Sequence, residues 1–134
     1  LKVSYSQVEA ERKAKIPELI VEERDREFIT ELNVYISEHL NETDLNVDRL
    51  AKAMGYGRTK FYQKVNAIAG CSPKEYIRKT RIEKAAELLG NDNITVAEVS
   101  YMVGFGTPQY LTTVFKSYYG ISPIQYKQKG NNIE

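Results

Sequence analysis

LNVDRLAKAMGYGRTKFYQKVNAIAGCSPKEYIR, residues 45–78, and ITVAEVSYMVGFGTPQYLTTVFKSYYGISPIQYKQ, residues 94–128, are diverged copies of one segment. In the first, a short amphipathic stretch (Leu45, Val47, Leu50, Ala51, Met54) ends at Gly55. Tyr56 and Gly57 follow, then an apolar-periodic run with Phe61, Val65 and Ile68, then Gly70, Ser72, Pro73 and Tyr76. The second repeats this as Ile94, Val96 and Val99, then Gly104, Phe105 and Gly106. Leu111, Phe115 and Tyr118 come next, then Gly120, Ser122, Pro123 and Tyr126. The last glycines align at an offset one larger than the first glycines, so the second copy carries an extra residue near its turn. A repeat of this length constrains the whole fold.

The punctuation sets the elements. Asn46 or Asp48 opens a short helix, and Gly55 supplies the left-handed position that stops it. Arg58 to Ala69 forms a longer helix closed by Gly70. Ser72 then caps a helix with Pro73 at its first position, where no amide donor is needed. That helix runs to about Leu89, and its about 17 residues span about 25 Å, a rod long enough to hold two small bundles apart. The second copy uses Thr95 as N-cap, Gly104 as stop, and Thr107 with Pro108 to open the second long helix. Gly120 closes it, and Ser122 with Pro123 starts a last short helix.

Working outward, Asp25 is placed as N-cap of a helix to about Leu40, because Phe28, Ile29, Leu32, Ile36 and Leu40 fall on one helical face. His39, the only histidine, reads as a surface or capping residue near its end. Residues 1–24 read as a charged connector, with a short helix opening at Ser6 and interrupted near Pro17. The start has neither an initiator Met nor an apolar leader core, which suggests a piece of something longer. Residues 130–134 read as a disordered tail. With no sustained period-two alternation, the expected fold is all-α. About seven helices form two helix-turn-helix units, 46–70 and 95–120, joined by a linker helix at 73–90.

At 134 residues the chain suffices for one ordinary domain. Its net charge of +1 hides a split: residues 43–129 carry thirteen basic against seven acidic side chains, whereas residues 1–42 sum to −4. The basic part suits a polyanion. Cys71 is the only cysteine, so neither an intrachain disulfide nor a thiolate zinc site can form, and a reducing cytoplasm is the expected setting. Its match with Ile121 reads as a small apolar core residue. No apolar run reaches about 18 residues, so no membrane contact is expected. One histidine, one cysteine and no glycine-rich phosphate loop leave no catalytic constellation, metal site or cofactor site.

The segment 25–129 resembles the DNA-binding domain of the AraC/XylS family of bacterial transcription regulators. The resemblance rests on Val103-Gly104-Phe105, Tyr110, Phe115-Lys116, Tyr119-Gly120-Ile121-Ser122-Pro123 and Tyr126. Arg81, Ala85, Ala86, Leu88 and Leu89 on the connecting helix add to it. It implies a homeodomain-like arrangement with one recognition helix per unit entering the major groove. Successive grooves on one face of the duplex lie about 34 Å apart, so one chain would read two half-sites about one turn apart. By family position Thr59, Tyr62 and Gln63 would reach base edges, and Gln109, Thr112 and Thr113 in the second helix. Arg58 also faces the groove, and Lys60, Lys64 and Lys116 would engage phosphates.

The chain departs from the family pattern at Gln63 and Thr113, where arginine is common, which implies weaker or more A·T-directed recognition. It departs again at Gly57 and Gly106, where a capping residue often sits, which implies looser helix starts. Most of Phe61, Phe105, Tyr110, Phe115, Tyr118 and Tyr119 read as core, with Tyr62 outward. The resemblance also implies RNA polymerase as a partner and, since such domains end response regulators and hybrid sensors, a receiver or sensor domain upstream. The alternative is a helical protein–protein interaction module, for which DNA would be irrelevant.

Overall fold

The computed structural model describes the backbone from Ile16 to Asn131 and side chains from Glu23 to Gly130. Among the described residues the chain is entirely helical: α1 Ile16–Glu38, α2 Val47–Ala53, α3 Arg58–Ala69, α4 Pro73–Leu88, α5 Val96–Met102, α6 Pro108–Tyr119 and α7 Pro123–Asn131. Each unit pairs a seven-residue helix with a twelve-residue one, α2 with α3 and α5 with α6. The turn of the first unit holds residues 54–57 and that of the second 103–107, which locates the extra residue of the second copy.

The caps follow local chemistry. Asn46, Ser72, Thr95 and Thr107 each accept, through a side-chain oxygen, an amide hydrogen bond from three residues on. Glu98 returns a bond to the Thr95 amide, completing a capping box. Gly70 and Gly120 close α3 and α6 in the left-handed conformation, at φ 77° and 79°, where a side chain would be strained.

Two boundaries differ from the sequence expectation. Asp25 lies inside α1 and does not cap it; Pro17, expected to interrupt a short helix opening at Ser6, lies within α1 as described from Ile16. The short helix expected at Ser6 lies outside the described residues. At the other end α7 extends through Gly130 to Asn131, into the stretch read as a tail.

The apolar faces of both units feed one hydrophobic cluster. Phe28, Leu32 and Ile36 of α1, Leu50 of α2, Phe61 and Val65 of α3, Ile77, Ile82 and Ala85 of α4, Val99 of α5 and Leu111, Val114 and Phe115 of α6 are all buried in it. The matched pairs Phe61 with Leu111 and Val65 with Phe115 are fully covered, each side chain worth about 1.5–3 kcal/mol of burial. The connecting helix is therefore not a rod holding two bundles apart. It is the spine on whose buried face both pack, in contact with α3, α5 and α6. No described helix is long and apolar enough to cross a membrane.

Candidate nucleic-acid interface

Burial of Phe61 and Val65 fixes the rotation of α3 and leaves Thr59, Tyr62, Gln63 and Asn66 exposed on the opposite side. Thr59 and Gln63 are four residues apart and Asn66 follows three later, so they form one stripe. Asn66 was missed in the sequence, although the 59–63–66 spacing marks it. Lys60 is exposed at the flank. Arg58 is exposed too, 3.4 Å from Asp48 in an ion pair open to water. Lys64 departs from its expected place. Its ammonium lies 3.9 Å from an Asp25 carboxylate oxygen and 5.2 Å from the Phe28 ring centroid, so it covers α1 and does not project with the stripe.

In α6 the equivalent stripe is Gln109, Thr113 and Lys116, all exposed, opposite Leu111 and Phe115. Aligned on the closing glycines, Gln109 replaces Thr59, Thr113 replaces Gln63 and Lys116 replaces Asn66. Thr112 is half-buried at the edge. The Thr113 hydroxyl donates to the Gln109 carbonyl at 3.1 Å, which leaves its methyl and an oxygen lone pair facing outward.

The two helix starts differ. Gly57 is the N-cap of α3 and offers no side-chain bond. Gly106, by contrast, is not a cap: it takes a left-handed turn at φ 86°, and the next residue, Thr107, caps α6 by accepting from the Tyr110 amide at 3.1 Å. The extra residue of the second copy thus places a capping hydroxyl at the start of α6 that α3 lacks. Of the aromatics expected in the core, Phe61, Phe105 and Phe115 are buried and Tyr118 is half-buried. Tyr110 and Tyr119, however, are 47% and 39% exposed. Tyr110 leans edge-on against Phe105, with centroids 5.1 Å apart, beside the reading stripe.

Several polar contacts set where these stripes stand. Glu42 accepts from Arg49 and lies 3.0 Å from His39 Nδ1, tying the α1–α2 loop to α2. The bond with His39, then that with Arg49, holds the Glu42 carboxyl below its ordinary value. His39, expected at the surface, is half-buried and stacks on Tyr35 at 4.2 Å. Tyr118 of α6 donates to Glu75 of α4, and Tyr76 of α4 donates to Asn33 of α1 at 2.5 Å. Burial, then the Glu75 bond, pushes the Tyr118 phenol up from its ordinary value. Arg81 of α4, one of the thirteen basic side chains and part of the family signature, is 7% exposed. Its Nη1 donates to the Gly104 carbonyl at 2.7 Å and its Nη2 to the Glu42 carbonyl at 2.8 Å. Cys71 is half-buried, like Ile121, and burial raises its thiol.

A helix-turn-helix domain family matches residues 50–129, which takes in both units and the helix between them. The chain belongs to this family, in its AraC-type branch. AraC-type domains are DNA-binding elements of transcription regulation. The solved DNA-binding domain of the global transcriptional factor AdpA, in complex with a target DNA, is 28% identical. It has a TM-score of 0.69 over 75% of this chain and 89% of that one. The C-terminal domain of AraT, a response regulator from Geobacillus stearothermophilus, is 29% identical, with a TM-score of 0.70 over 76% of this chain and 84% of that one. In sequence, Histidine kinase P4 of Formosa agariphila is 25% identical over 112 residues, 84% of this chain. The chain spans 8% of the length of that kinase and 32% of each of two further curated relatives.

Proposed function

We propose that this AraC-type domain reads two half-sites about one turn apart, with α3 and α6 in successive major grooves of one duplex face. The observation that carries the reading is the duplicated stripe, Thr59, Gln63 and Asn66 on α3 and Gln109, Thr113 and Lys116 on α6, outward on two helices packed to one spine. Gln63 and Gln109 are suited to pair with adenine through both amide atoms, and the Thr59 and Thr113 methyls to meet thymine. Tyr62 and Thr112 flank these contacts. Arg58, Lys60 and Lys116 engage phosphates and fix register, while Lys64 supports the α1 contact. With amides and hydroxyls where guanidiniums often stand, the preferred operator is rich in A·T pairs.

In the full protein the domain serves as the output end of a signal-responsive regulator in the bacterial cytoplasm. A receiver or sensor lies upstream and RNA polymerase is the downstream partner. Support comes from the likeness to the AraT response-regulator domain and to the histidine kinase. Selection of bound duplexes from a random library tests the DNA reading. A two-part site with a steep loss of affinity on adding salt is the expected result. No enrichment at low salt would overturn it in favour of a protein-docking role.

A further inference from the structure

The two units meet at a junction tighter than either needs for its own fold. Gly104 sits at φ 82°, and a Cβ built there would lie 2.1 Å from the Leu40 carbonyl oxygen and 2.9 Å from Arg81 Cζ. The turn of the second unit therefore rests directly on the backbone that leads from α1 to α2 in the first. Beneath it the Arg81 guanidinium spans the seam, one nitrogen on the Gly104 carbonyl and another on the Glu42 carbonyl. No described carboxylate forms an ion pair with it, and its buried Nε has no hydrogen-bond partner. Packing alone would be served at least as well by an apolar side chain, since a buried charge is costly to desolvate. What an apolar residue lacks is direction: a planar fork holds two oxygens at a set distance and angle, and lysine cannot reproduce it.

We propose that Arg81 is a positioning residue that locks the separation and rotation of the two recognition helices, and so restricts the chain to one spacing of half-sites. The inference rests on the two-half-site reading above. Each base pair inserted between half-sites moves the second by about 3.4 Å along the axis and turns it by about a tenth of a turn. A locked junction cannot follow that displacement, whereas a loosened one can.

The test is a spacing series. The selected duplex is made with its half-sites one pair closer, unchanged, and one or two pairs further apart, and affinity is measured for the parent and for Arg81→Lys. The parent is expected to lose about tenfold or more per displaced pair, because simultaneous engagement is lost. Folded Arg81→Lys should keep the parent's affinity for each isolated half-site yet spread only a few-fold across the series. An unchanged spacing penalty in the variant would overturn the proposal.

A measurement on DNA-free protein stands whether or not the variant folds. Spin labels at Lys52→Cys in α2 and Ala97→Cys in α5, with Cys71→Ala, should give one narrow distance distribution. A broad one would overturn the lock. Should the parent bind no sequence selectively, the DNA reading fails, and the label distances still judge the junction.

Discussion

Gln63 and Gln109 occupy exposed positions on matching helices, but they are not equivalent by register: Gln109 aligns with Thr59, and Gln63 with Thr113. Each half-site should therefore carry its amide-specified base at a different place. Replacing either glutamine with alanine is expected to relax preference at one base position by about 1–3 kcal/mol, read from competition between single-base operator variants. Equal loss on operator and random duplex would remove the residue from base reading. Lys60→Ala should weaken all sequences alike and lower the slope of log affinity against log salt by about one. Lys64→Ala should leave that slope unchanged, since its ammonium already faces Asp25 and Phe28. That distinction was not legible in the sequence, where both lysines look like groove-side cations; it depends on α1 passing over α3.

At the scale of elements, most starts and stops were legible because they rest on single residues with one strong local preference. Asn46, Ser72, Thr95, Thr107, Gly70 and Gly120 act where their chemistry placed them. Thr107→Ala should cost about 0.5–2 kcal/mol in denaturant unfolding. Leu50, fully buried, should cost about 2–5 kcal/mol when cut to alanine. An unchanged melting temperature would contradict its place in the core. The start of α1 was misread because Asp25 has the right chemistry for a cap and Pro17 the right chemistry for a break.

For the whole molecule, the sequence foretold two units and a connecting helix but not how they join. Arg81 counts among the thirteen cations and belongs to the family signature, yet no periodicity reveals that Glu42 and Gly104 converge on it. Long-range seams of this kind leave no mark on local spacing. Tyr118 reports the same level of organisation, since it reaches from α6 to Glu75 of α4. Its phenol is raised in the folded state, so the stability it contributes is fully present below the ordinary tyrosine value of about 10 and is lost as pH climbs beyond it. Unfolding midpoints should fall from about pH 10 upward, and Tyr118→Phe should flatten that fall. Hydroxyl-radical footprinting on the selected duplex tests the two-groove reading most directly. The account predicts two protected patches on one face of the helix, centred about ten base pairs apart, with the distal patch lost on disrupting α6 contacts at Gln109 and Lys116. A single patch covering one groove would contradict it.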